Sequence, residues 1–236
     1  QTYLKTINNQ VAALFNYAVK YYDLPSNPCR KAGSMGKSNA EEMHFWTREE
    51  FSKFIDSVMD KHQSYMAFMM LYWTGIRLGE LLALTVDDVD FEKRTIRISK
   101  SYQRISGRDI ITEPKTPKSK RVITIPQFLV LDLQDYIDSM YGAQKEDRLF
   151  PITKYYLEHE MQRGIKESGL KRIRLHDLRH SHASMLVEMS FSPLEIADRL
   201  GHEKIETTLN TYSHLYPNKQ EKLADRLDTE YQEGLK

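Results

Sequence analysis

The sequence has one cysteine, almost no net charge and no long apolar run. Cys29 stands alone among 236 residues, so no internal disulfide can form, and a reducing cytoplasm or nucleoid is the expected location. The longest apolar run, Tyr65 to Ile76, falls short of the roughly 20 residues that cross a bilayer. It reads as a core helix, and no membrane partner is expected. The formal net charge of +1 by itself argues neither for nor against nucleic acid. Hydrophobic residues at 40% and charged residues at 28% are ordinary for a globular chain. The sequence starts at Gln1 in mid-pattern, as a fragment would, so the lack of a signal peptide says little. No internal repeat is found.

Two apparent motifs lack what their chemistry needs. Gly36-Lys37-Ser38 imitates the end of a nucleotide phosphate loop, but position 31 is lysine where that loop needs glycine, and no strand precedes it. His176, His180 and His182 suggest a metal site. Helical spacing puts 176 and 180 on one face and turns 182 away. No cysteine is near, and Asp177 is the only nearby acid, too few ligands for a catalytic zinc.

What is present is charge in two blocks. Between Glu92 and Val122 ten Lys/Arg face three acids, and between Arg163 and His182 six face two. The remainder is net acidic. Two basic segments on an acidic chain suggest a one-sided anion-binding surface, although paired basic loops facing solvent would read the same way.

Apolar spacing predicts a helix within 2–22, stopped by Pro25 and Asn27-Pro28. Residues 31–46 read as a linker. Thr47-Arg48-Glu49-Glu50 is a capping box opening a new unit. Helices are predicted at 63–74 and 78–83, interrupted by Gly75, then near 127–141, 153–168, 176–189, 193–200 and 205–214. Ser192-Pro193-Leu194-Glu195 is a helix start. Residues 95–98, 110–112 and 121–125 read as three short strands. The expected fold is α+β: a mainly helical domain with a small three-stranded antiparallel sheet. In the tail, 218–236, Leu223, Leu227 and Tyr231 share a helical face suited to docking.

Singly, the chemical candidates are weak. Arg77 lies between Gly75 and Gly79, and its simplest reading is an ion pair with Glu80. His176 and Arg179 are three apart on a helix. His202 follows Gly201. Tyr212 is one of 14 tyrosines, most simply a core residue. Their order is what is informative: arginine, lysine-bearing hairpin, His-x-x-Arg, Gly-His, tyrosine. Carried by TGIRLGELLAL, EPKTPKSKRVITIP, RLHDLRHSHASMLVE and LGHEKIETTLNTYSHLYP, the chain resembles the tyrosine recombinases, the integrases of phages and conjugative transposons. The resemblance covers about 47–217. Residues 1–30 resemble the end of that family's helical core-binding domain.

The resemblance implies a site-specific recombinase that cleaves and rejoins double-stranded DNA through a 3′-phosphotyrosine, integrating and excising a mobile element without metal or cofactor. It implies Tyr212 as nucleophile, with Tyr216 one turn on as the alternative. Arg77 and Arg179 would hold the phosphate bidentately, and His202 would add a hydrogen bond. His176 would accept the tyrosine proton or hold the phosphate. Lys115 would be the general acid, with Lys118 and Lys120 in the same turn. Glu80 and Asp177 would orient their neighbours. Arg97, Lys100, Arg104, Lys118, Lys120, Arg121 and Arg174 are candidate DNA contacts, mostly to phosphate and therefore salt-sensitive. The family further implies a homotetramer on two duplexes joined through the tail, with possible accessory DNA-bending or excision factors. A type IB topoisomerase, an inactive DNA-binding regulator of the same fold and a metal-dependent nuclease are the rival readings.

Overall fold

The computed structural model describes residues 2–36, 43–114, 117–216 and 220–233. The chain divides into two units, residues 1–43 and 44–236. In the first, α1 (Thr2–Tyr21) is followed by the short α2 (Pro28–Ala32). Asn27 joins them. Its Oδ1 caps α2 by accepting from the Cys29 amide at 2.9 Å, and its Nδ2 donates to the Ala12 carbonyl and to Asn16 Oδ1. Helix α1 already ends at Tyr21, and Asn27-Pro28, expected as a helix stop, instead opens α2 and clasps it to α1.

The second unit holds the core. Trp46, 1% exposed, pins its start: the backbone amide donates to Ser181 Oγ, and the indole donates to the Lys171 carbonyl. The Thr47/Glu50 capping box opens α3 (Arg48–Asp56). Helix α4 (His62–Thr74) is buried almost all round, as an uninterrupted apolar helix must be. It packs against α6 (Gln127–Asp138) and α8 (Asp177–Glu188). Gly75 ends α4 with φ of 67°, and α5 (Leu78–Ala83) follows at once.

The strands differ from the expectation. Strands β1 (Val89–Asp90), β2 (Thr95–Ile98) and β5 (Arg121–Thr124) form one antiparallel sheet in the order β1-β2-β5, with Ile96 opposite Ile123. Residues 110–112 are not in it. They belong to β4 (Arg108–Thr112), which pairs with β3 (Ser101–Ile105) in a separate hairpin. Ser106 and Gly107 both take positive φ at its tip, the two-residue turn that suits a twisted hairpin. All five β4 residues are exposed. With neither face covered, apolar residues stop tracking the core side, and the pattern loses its meaning.

Helix α7 (Lys154–Ser168) precedes α8, and α9 (Pro193–Leu200), α10 (Ile205–Tyr212) and α11 (Gln220–Glu233) complete the chain. No described helix is long and apolar enough to cross a membrane.

Candidate active site

Two left-handed glycines shape the centre. The Gly75 carbonyl accepts Arg179 Nη1 at 2.7 Å, and the Gly201 carbonyl accepts Arg77 Nη2 at 3.4 Å. A Cβ on Gly75 would lie 2.6 Å from the His182 ring and 2.8 Å from Leu200, so only glycine lets α8 and α9 approach the turn.

Arg179 is 4% exposed. Its other nitrogen, Nη2, donates to the Leu200 carbonyl at 2.7 Å. Both partners are neutral carbonyls, and no carboxylate pairs with it among the described residues. Burial and the like charge of Arg77 lower its pKa to about 9, which still leaves it cationic at neutral pH. A buried cation with no carboxylate in contact costs folding free energy, and the more distant charge of Glu80 offsets only part of it. Placed beside a second cation, it suits an anion that arrives from outside.

Arg77 is held differently. Glu80 Oε1 accepts from Arg77 Nη1 at 2.8 Å, and Glu80 Oε2 accepts from the Arg77 amide. The same carboxylate receives both terminal nitrogens of Arg121, at 3.1 and 2.9 Å. Burial acts to raise the Glu80 pKa, but hydrogen bonds and charge from Arg121 and then Arg77 outweigh it and hold it below the ordinary range. Glu80 is therefore an ionised hinge between two arginines.

Around them, His202 Nδ1 meets Thr208 Oγ1 at 2.7 Å. Burial, then the charges of Arg179 and Arg77, lower its pKa to about 4. His176 lies at the exposed N-terminal end of α8, and burial of its ring and Arg179 lower its pKa as well. Tyr212 is 1% exposed. Its hydroxyl meets His180 Nδ1 at 2.8 Å, and burial raises its pKa to about 12 against the pull of Arg179. Tyr216 instead donates to the Phe191 carbonyl. Two arginines, three histidines and a buried tyrosine, from the turn at Arg77 and from the stretch between His176 and Tyr212, thus share one electrostatic centre.

A phage integrase family model matches residues 44–219, which contain every one of these side chains. The chain belongs to the phage integrase family. The ICEBs1 integrase of Bacillus subtilis strain 168 is 33% identical, with 95% of this chain and 65% of that protein covered. A XerC-like tyrosine recombinase of Caldanaerobacter subterraneus is 26% identical, with the same coverage. The chain therefore spans 65% of the length of these two relatives. Among solved structures, the Tn1549 transposon integrase in complex with circular intermediate DNA is 25% identical with a TM-score of 0.76, covering 97% of this chain and 80% of that one. A lambda integrase dimer bound to a core site, 18% identical with a TM-score of 0.62 and covering 92% of this chain and 59% of that one, shares the fold.

In this integrase-family chain most candidate DNA contacts carry internal ion pairs. Arg97 meets Asp87 and Asp88, Lys100 meets Asp88, Arg104 meets Asp109, Lys120 meets Glu113 and Arg174 meets Asp177. Lys118 is exposed. Arg121 departs furthest from a surface contact. Its side chain is 8% exposed, and besides Glu80 it donates to the carbonyls of Arg199 and Ser119. It braces the site from inside. Asp177 accepts from the Arg174 amide and guanidinium, holding the turn before His176. Lys115 lies outside the described residues, as do Lys37 and Ser38 of the phosphate-loop imitation. The segments flanking Lys115 are described: Glu113, Pro114 and Ser119 line a cleft of about 410 Å³ with Arg77 and His202.

His182 is fully internal and accepts from Arg199 Nε at 3.0 Å. Among the described residues no three His, Cys, Asp or Glu converge as a metal cage. Reading the three histidines only as a failed metal cluster passed over His180. The signal for it was its place one turn from His176 and next to Arg179.

Proposed function

We propose that the chain is the catalytic part of a site-specific DNA recombinase that integrates and excises a mobile element. Tyr212 attacks a backbone phosphate, forming a 3′-phosphotyrosine and releasing a 5′-hydroxyl. Rejoining reverses the step with the 5′-hydroxyl of another strand. The bond energy stays in the covalent link, so strand joining needs no nucleotide cofactor. The observation that carries this reading is Arg179, a buried cation without a carboxylate partner among the described residues, whose charge acts on the hydroxyl of a buried tyrosine.

The positions of the side chains support a role for each. The transition state gathers charge on the nonbridging oxygens, and fixed donors must meet it there. Arg179 is fixed by its two carbonyls, and Arg77 by Glu80 and Gly201. His202, which lines the cleft with Arg77, and His176, exposed at the start of α8, serve as further donors. Lys115 protonates the departing 5′-oxygen, and the described residues on either side of it in sequence, Glu113, Pro114 and Ser119, line the Arg77 cleft. Double-stranded DNA is the substrate, the working assembly is four protomers on two duplexes with the tail as exchange element, and the site of action is the cytoplasmic nucleoid.

The test uses a pool of nicked duplexes randomised across the site, with excess chelator present. A denaturation-resistant protein–DNA adduct and, with two sites, a joint of defined sequence are expected. On supercoiled plasmid run in parallel, relaxation without a defined joint would overturn recombination in favour of a topoisomerase, and cleavage of the nicked duplexes without an adduct would overturn the tyrosine mechanism.

A further inference from the structure

On the reading that Tyr212 is the nucleophile, we propose that His180, not His176, takes the tyrosine proton during cleavage and returns it during rejoining. Tyr212 is the last residue of α10, and α10 and the short turn Ser213–Leu215 both pack on α8. That packing brings the hydroxyl to His180 Nδ1 at 2.8 Å, with the rings 5.7 Å apart. A general base must lie within hydrogen-bond reach of the proton it removes, and His180 does. His176 lies one turn earlier and meets the edge of the His180 ring, 5.1 Å away at 89°, instead of the tyrosine. It is left free to serve a phosphate oxygen.

The protonation states agree with this geometry. Burial, then His176, pushes the His180 pKa down to about 4, with Arg179 and Arg174 acting the same way and Asp177 opposing them. His180 in turn adds to the lowering of the pKa of His202, in the turn after α9. At neutral pH the ring is neutral. A tyrosine that keeps its proton must be the donor, so Nδ1 carries the lone pair and Nε2 the hydrogen. During attack the Tyr212 oxygen bonds to phosphorus and its proton moves to Nδ1, giving an imidazolium. The bond from phosphorus to the 5′-oxygen breaks, and that oxygen takes its proton from the general acid.

The same charges explain why the free enzyme does not ionise its own nucleophile. Cations around His180 oppose a further positive charge. A phosphate seated on Arg77 and Arg179 cancels part of that field, so the base strengthens only when substrate is bound. This differs from a simple base whose strength is fixed by the fold.

Single-turnover cleavage of a nicked suicide duplex tests this in the wild type, His180→Asn, His176→Asn and Tyr212→Phe across about pH 4 to 9. Asparagine can accept the tyrosine hydrogen bond but takes no proton. His180→Asn should cleave roughly 100-fold slower or worse at unchanged DNA affinity, and should lose the acid limb of the rate profile. His176→Asn should keep that limb. Should His180→Asn not fold, His180→Gln and imidazole added to His180→Ala repeat the comparison, with partial rescue of the alanine variant expected. Cleavage by His180→Asn within about threefold of wild type with its acid limb intact would overturn the proposal. So would loss of that limb in His176→Asn. No adduct from the wild type would instead refute the recombinase reading itself.

Discussion

Replacing Arg179 by methionine should abolish cleavage yet leave the fold nearly as stable as before, or more so. The fall of its pKa from 12.5 to about 9, at 1.36 kcal/mol per pH unit, means that keeping the charge inside costs about 5 kcal/mol. Against this, methionine leaves the Gly75 and Leu200 carbonyls without their donors, at about 1–3 kcal/mol each. The balance runs from about 1 kcal/mol destabilising to about 3 stabilising, where breaking a buried ion pair would cost about 3–5. At about 2–4 °C per kcal/mol for a unit of this size, calorimetry should show a midpoint that stays within a few degrees or rises. Inorganic phosphate supplies the second arm of the assay. At a hundredfold excess over its Kd it should stabilise the wild type by about 2.7 kcal/mol and the variant by nothing. A variant destabilised by more than about 3 kcal/mol, or equal stabilisation of both proteins by phosphate, would refute the idea of a cation held ready for an anion.

Gly75→Ala should combine left-handed strain with the 2.6 and 2.8 Å approaches. A loss of about 2–5 kcal/mol follows, read as a midpoint fall of at least about 4 °C, together with slower cleavage because the Arg179 acceptor moves. Acid should weaken the fold through His182. Burial, then Arg199, lowers its pKa from 6.5 to about 3, so its contribution is complete above pH 6.5 and is lost as pH falls from there toward 3. By pH 4 that loss is about 3 kcal/mol, and urea titrations at pH 7 and pH 4 should show it missing from His182→Gln. Lys115→Ala should slow cleavage of ordinary DNA by about 10²-fold or more, and a 5′-thio leaving group, which departs without a proton, should largely restore the rate. No restoration would count against the general-acid role.

Much of the helical frame was legible because its signals are local. The Thr47 and Ser192 capping boxes, Gly75 and Pro193 mark helix ends within a few residues. The hairpin was not, because β3 and β4 have no buried face along most of their length to impose alternation. Charge was legible as a total and not as an arrangement. Arg97 and Lys100 look available along the chain, yet the turn before β1 brings Asp87 and Asp88 against them. Arg121 reads as one more cation of a basic turn, and only the approach of α5 and α9 gives it Glu80 and the Arg199 carbonyl. The order of motifs pointed to Tyr212, while its partner is visible only once α10 lies on α8.

The central claim is that Tyr212 bonds to DNA. Trapping the protein on nicked duplex, digesting it and sequencing the nucleotide-bearing peptide by mass spectrometry tests it most directly. The account predicts a 3′-phosphate ester on Tyr212 and no adduct from Tyr212→Phe. An ester on Tyr216, or an adduct that survives in Tyr212→Phe, would contradict it.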